Sequence, residues 1–137
     1  MIKFITGAKG TGKTKIIIDM ANDNVETAKG DIVFVTDTDR YMYSLNYRVR
    51  MVNAKQLKRG DAPVSEEALI GFIKGLLAGN HDIETLYIDG AHRMLAKTVF
   101  EMKDFFDDLR EVAKNTDTKF VVTVSENEEN FPDFIRE

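Results

Sequence analysis

The chain has 137 residues, 43% of them apolar and 31% charged, with a net charge of −4 and no cysteine. Disulfide frameworks and thiolate metal sites are therefore excluded, and no apolar run approaches the ~20 residues of a membrane span. Met1 leads directly into a β-like run rather than a signal peptide, so one cytoplasmic domain over residues 1–137 is expected.

The first run, Ile2-Lys3-Phe4-Ile5-Thr6, reads as a strand, and Gly7-Ala8-Lys9-Gly10-Thr11-Gly12-Lys13-Thr14 follows it. A glycine, four residues, Gly12, Lys13 and a hydroxyl at Thr14 make the pattern of a phosphate-cradling loop. Its glycines allow positive φ and let backbone N–H groups approach phosphate oxygens. A helix opening at the loop's end adds unpaired N–H groups and a positive dipole end. Lys13 then reaches the β- and γ-phosphates, and the Thr14 hydroxyl is placed to coordinate Mg2+. A ligand-free glycine turn is the plainer reading, but the strand before and helix after the pattern are the setting that phosphate binding needs. The expected phosphate-binding set is Gly7, Ala8, Lys9, Gly10, Thr11, Gly12, Lys13, Thr14 and Lys15.

The helix after Thr14 carries Ile16, Ile17, Ile18, Met20, Ala21 and Val25, and Lys29-Gly30 is its expected stop. Ile32-Val33-Phe34-Val35 is continuously apolar, like a strand buried on both faces, and Thr36-Asp37-Thr38-Asp39 closes it. Residues 41–47 read as a loop, and the alternation from Arg48 to Asn53 as an edge strand. The charge is uneven here. From Arg40 to Arg59 there are six basic residues (Arg40, Arg48, Arg50, Lys55, Lys58 and Arg59) and no acid. With Tyr41, Tyr43 and Tyr47 interleaved, the window 40–59 suits a single-stranded nucleic acid. It equally suits an acidic protein partner, or an edge strand protected from aggregation by its charges.

Lys58 to Pro63 is a turn. Ser65 then caps a helix with Glu66 and Glu67 in its first turn, an apolar stripe from Leu69 to Leu77, and Gly79 at its end. Thr85-Leu86-Tyr87-Ile88-Asp89 is a second buried strand, ending in a carboxylate. One long helix is expected from Thr98 to Lys114, and the last strand from Phe120 to Ser125. In the acidic tail from Glu126 to Glu137, Phe131, Phe134 and Ile135 suit the docking of a short terminal helix. Strands alternating with helices mean a parallel sheet with helices on both faces. Ligands bind such sheets beyond the carboxyl ends of the strands, where Gly7, Asp37, Asp89 and Ser125 all belong.

The loop pattern resembles that of the P-loop NTPase superfamily, and Leu86-Tyr87-Ile88-Asp89 looks like its Walker B element, 75 residues beyond Thr14. The resemblance is to the RecA-like ATPase branch with an additional central strand, at the level of the superfamily. It implies a three-layer α/β sandwich with a mostly parallel sheet, binding ATP or ADP with Mg2+. Thr14 and Asp89 would hold the metal, and Lys13 and Asp89 would carry catalysis.

The chain departs from the branch at one position. There a glutamate follows or neighbours the aspartate and polarises the attacking water; here Gly90 follows. Asp89-Gly90-Ala91-His92 looks like the Asp-Glu-Ala-His box of helicases without its glutamate. Restoring the carboxylate by Gly90→Glu requires a backbone that does not need positive φ. Thr123 and Ser125 stand where the branch keeps a polar sensor residue, and His92 and Arg93 are candidates to contact a γ-phosphate or a partner. Strand-end polarity and surface exposure account for the same residues. His81 reads as a loop residue.

Missing features narrow the class. The chain has no Asn-Lys-x-Asp motif, no arginine-rich lid and no cysteine lasso, which sets aside Ras-type GTPases, nucleoside monophosphate kinases and thymidine kinases. The expected protein is a small Mg-dependent ATPase, weak or activated by a protein partner or by self-association into a homo-oligomer. A nucleotide-binding switch or scaffold and a small-molecule kinase are the alternatives.

Overall fold

The computed structural model describes residues 1–136; Glu137, the end of the acidic tail, lies outside them. Five strands form: β1 (Ile2–Gly7), β2 (Asp31–Thr36), β3 (Val49–Asn53), β4 (Ile83–Ile88) and β5 (Lys119–Ser125). They make one sheet in the order β1-β5-β4-β2-β3, with every pair parallel. The apolar runs of β2 and β4 lie inside the sheet and are buried over most of their length, as continuous Val, Ile and Phe predict. β3 is an edge strand, as its alternation indicated.

Helices cover both faces. On one, α1 (Lys13–Asn24) packs Ile17, Ile18 and Ala21 against Phe34, Tyr87 and Val121. On the other, α2 (Glu66–Gly79), α3 (Ala91–Leu95) and α4 (Lys103–Lys114) enclose the larger core, in which Leu69, Ile73, Phe105, Phe106 and Leu109 meet Leu86 and Ile88. Burying one such side chain contributes about 1.5–3 kcal/mol, so the wider face supplies most of the hydrophobic stabilisation. This is the three-layer α/β sandwich of P-loop NTPases. β5 is inserted between β1 and β4, the additional central strand of the resembled branch. It sets the ends of β1 and β4 about 10 Å apart, two strand spacings. The Thr14 side chain of α1 reaches across that gap to Asp89.

Two helix boundaries differ from expectation. α1 ends at Asn24, where the next N–H groups turn inward: Val25, Glu26 and Thr27 bond carbonyls three residues back. The Asn24 amide donates to Thr85 Oγ1 (3.3 Å) and Tyr87 Oη (3.0 Å), fixing the helix end to β4. Gly30 is not the helix stop; a Cβ there would collide with the Asp82 carbonyl, so it serves a close crossing of two chain segments.

The helix expected from Thr98 is divided. α3 closes on Ala96 in the left-handed region (φ 53), and Thr98 and Glu101 form a reciprocal capping box that opens a 3-10 turn over Val99–Glu101. Only then does α4 start. The tail behaves as its apolar residues suggested: α5 (Asp133–Arg136) docks with Phe131 and Ile135 buried, and Arg110 Nη2 donates to the Ile135 carbonyl at 2.6 Å.

Candidate functional site

β1 delivers Gly7 to the carboxyl edge of the sheet, and the loop that follows turns through left-handed glycines, with φ 84 at Gly10 and φ 87 at Gly12. α1 opens on Gly12 without a side-chain cap, so its first-turn N–H groups have no partner inside the helix and are free to meet an anion. Lys13 is buried and folds back over the loop, its Nζ donating to the carbonyls of Gly7 (2.8 Å) and Ala8 (2.9 Å). Burial lowers its pKa, with the Asp89 charge opposing and Arg93 reinforcing the shift. The Lys15 side chain leaves the loop and pairs with Asp19 along α1 at 2.9 Å.

Asp89 at the end of β4 is almost wholly buried and held from three sides. Thr14 Oγ1 donates to its Oδ2 at 3.0 Å, and Thr123 Oγ1 on β5 donates to its Oδ1 at 2.9 Å. Its own N–H bonds the Val35 carbonyl of β2 at 2.9 Å. The same Thr123 hydroxyl accepts from the Gly90 N–H at 3.2 Å. One carboxylate oxygen is thus anchored to the sheet, and the other shares its position with the Thr14 hydroxyl beneath the loop.

Two hard oxygen donors at that point suit Mg2+, which binds through one or two protein oxygens with the remainder from phosphate and water. Among the described residues no cluster of three or more His, Cys, Asp or Glu forms a self-sufficient metal site. The residues present therefore fit a metal that arrives with a phosphate.

At Gly90 the structure holds an arrangement the sequence did not disclose. Gly90 takes φ 94 and opens α3, from which Arg93 folds back over it. The guanidinium grips Asp37, at the end of β2, with Nε at 3.3 Å and Nη2 at 3.1 Å, and Nη2 also lies 3.6 Å from Asp89 Oδ2. Burial works to lower the Arg93 pKa, but the Asp37 hydrogen bond and the charges of Asp37 and Asp89 outweigh it and raise it. A Cβ at position 90 would collide with the guanidinium. Gly90→Glu is therefore no simple restoration, since it meets both positive φ and an occupied space.

Next to it, His92 Nε2 lies 3.0 Å from Ser125 Oγ, while its Nδ1 is buried with no hydrogen-bond partner among the described residues. Burial, assisted by the charges of Arg93 and Lys13, lowers the His92 pKa and favours the neutral ring. The two candidate sensor hydroxyls are thus divided, Thr123 to Asp89 and Ser125 to His92. His81 is exposed, away from the site.

The basic window lies beyond. Arg48 reaches Glu26 at 3.8 Å and Arg50 reaches Asp31 at 3.7 Å, which partly neutralises it. Tyr41 packs against the α1 face, whereas Tyr43 and Tyr47 are 93% and 91% exposed. Asn22 on α1 pins this segment, donating to the Ser44 carbonyl at 2.9 Å and accepting from the Asn46 N–H at 2.7 Å.

The family model described as AAA domain matches residues 1–130. The chain belongs to the AAA domain family. As an AAA domain it is a P-loop NTPase, with a nucleotide-binding, ATPase-type function. The fold of this AAA domain is similar to that of the flagellar accessory protein FlaH from Methanocaldococcus jannaschii, with a TM-score of 0.54 and 18% identity. The alignment covers 96% of this chain and 63% of that one, so the chain spans under two-thirds of the length of FlaH. The likeness is one of fold. A search of the curated proteins finds no match. No helix among the described residues is long and apolar enough to cross a membrane.

Proposed function

We propose that this AAA domain binds ATP or ADP together with Mg2+ and hydrolyses ATP only weakly until a protein partner or a second copy completes the site. One observation carries the reading: the Thr14 hydroxyl and the Asp89 carboxylate meet at 3.0 Å beneath a loop whose lysine is turned inward. In this reading the backbone N–H groups from Gly7 to Lys15 cradle the phosphates. Lys13 exchanges its two carbonyl bonds for phosphate oxygens, and Thr14 and Asp89 hold the metal. Bound Mg2+ would neutralise phosphate charge. Weak turnover follows from position 90, where a guanidinium occupies the space in which a water-polarising carboxylate would begin.

The same observation favours a second reading, a nucleotide-controlled switch or scaffold with negligible hydrolysis. Both place the protein in the cytoplasm. Residues 40–59 offer at most a weak, salt-dependent contact to single-stranded nucleic acid.

Thermal unfolding tests the proposal. Mg·ATP or Mg·ADP at about a hundred times its dissociation constant should add roughly 2.7 kcal/mol of stability. Lys13→Ala should remove most of that increment while the unliganded chain stays folded. An increment that survives Lys13→Ala would overturn nucleotide binding at this loop. A phosphate-release rate for the chain alone near 10 per second, an ordinary enzyme value, would overturn the weak-turnover part.

A further inference from the structure

β1 closes the sheet on the side opposite β3, with one charged residue, Lys3, and no proline to discourage a further strand. The Phe120 N–H donates to the Met1 carbonyl and the Gly7 N–H to the Glu126 carbonyl, both at 3.0 Å. Odd-numbered residues of β1 therefore turn their backbone groups toward β5, as the pairing of Ile2 with Phe120 requires. The N–H and C=O groups of Ile2, Phe4 and Thr6 face outward, and none of them has a hydrogen-bond partner among the described residues. The side chains of these three residues are half-buried on the α4 face, where Phe4 meets Phe106 and Phe131 edge-on. Beside them runs an open groove of about 660 Å3, walled by Arg110 and Lys114 of α4 and by Phe131 of the tail.

The two ends of this edge differ in charge. At the amino end the Met1 ammonium is surrounded by the exposed Lys3, Lys114 and Lys119, none of which joins an ion pair among the described residues. At the carboxyl end Glu126 lies against Gly7, and the exposed Glu128 and Glu129 follow it.

We infer that β1 is the contact through which two copies of this chain associate, the two strands pairing antiparallel about a two-fold axis at Phe4. That register sets Ile2 opposite Thr6 of the second copy and Phe4 opposite its counterpart, so every outward N–H and C=O group finds a partner. The same rotation lays the basic end of each β1 against the acidic end of the other, whereas a parallel neighbour would match like with like. Side chains of opposed residues stand on one face of a sheet, so Ile2 and Phe4 of the second copy lie along the groove. The contact uses no side chain assigned to the nucleotide, and its test needs none.

Sedimentation equilibrium of the whole chain, from about 1 to 100 μM, should show a dimer that weakens as salt rises. Ile2→Pro deletes one outward N–H, a change that an edge strand tolerates, and Lys3→Glu with Lys119→Glu reverses the basic end; each should weaken the dimer about tenfold or more. Cysteines test the register, since the chain has none of its own. Opposed residues of such a pair have Cα atoms about 5.5 Å apart, within reach of a disulfide. Under oxidation, Ile2→Cys and Thr6→Cys chains should cross-link when mixed and not when either is alone. A wild-type chain that stays monomeric throughout that range would overturn the inference, and would leave this edge to a strand of another protein. A dimer indifferent to both the proline and the charge reversals would overturn it as well, as would cross-linking of either cysteine chain alone to the extent of the mixture.

Discussion

α1 and α3 begin alike and end up with opposite neighbours. Each follows a strand, opens on a glycine in the left-handed region (φ 87 at Gly12, φ 94 at Gly90) and lacks a side-chain cap. At Gly12 the space a Cβ would take has nothing within 4 Å; at Gly90 it is filled by the Arg93 guanidinium. The open turn presents N–H groups and suits an anion. The filled turn seats a cation between two carboxylates. One backbone device thus serves both charges, and the choice is made by which side chain folds back: Lys13 swings away from Gly12 to the carbonyls of Gly7 and Ala8, whereas Arg93 lies across Gly90.

The largest effect expected from breaking this comparison is at Thr123, which supports only the second turn. Thr123→Val leaves a buried Asp89 oxygen and the Gly90 N–H without their partner, and should cost about 2–3 kcal/mol in urea unfolding. A cost below about 0.5 kcal/mol would show that β5 does not anchor Asp89.

Alanine at each glycine sharpens the contrast. Gly12→Ala and Gly90→Ala should each lose about 1–2 kcal/mol to left-handed strain. Only the second should depend on Arg93. Combining each with Arg93→Ala should give up to about 1 kcal/mol of coupling for Gly90 and none for Gly12. Equal coupling at both sites would mean that the two turns are not distinguished by the arginine.

The smallest effect is in the pH dependence. His92, on the first turn of α3, has a folded pKa lowered by burial, so at mildly acidic pH the unfolded chain binds the proton more readily than the folded one. Stability should therefore fall as pH drops through about 6.5, the ordinary histidine value. His92→Gln should flatten that slope between about pH 7.5 and 5.5, read from urea midpoints. An unchanged slope would assign it to other groups.

The phosphate loop and the sandwich were legible because their signals are local. Glycine spacing, a lysine and a hydroxyl define the loop, and unbroken apolar runs define β2 and β4. Asp89 was legible for the same reason, as the last residue of such a run. The Asp37–Arg93 pair was not. It joins residues 56 apart, and the contact exists only because β2 lies beside β4 in the sheet. Asp37 and Arg93 each carried a signal, one as a strand-end carboxylate and the other as a basic residue past a strand, but spacing alone does not pair them. The division of the helix expected from Thr98 was hidden by periodicity, since the apolar stripe of α4 continues back through Val99 and Met102 although the backbone between them is a 3-10 turn.

The clasp made by Asn22 has an optical consequence. α1 begins at the phosphate loop, and near its other end both atoms of the Asn22 amide hold Ser44 and Asn46 while Leu45 is buried against the same face. A displacement of α1 must carry that segment with it or break two hydrogen bonds. Tyr43 and Tyr47 stand in solvent on either side of the clasp, and the chain contains no tryptophan to mask their emission. A displacement of α1 that breaks the clasp would free residues 43–47, and a fall in the tyrosine fluorescence anisotropy of the unlabelled chain is its expected sign.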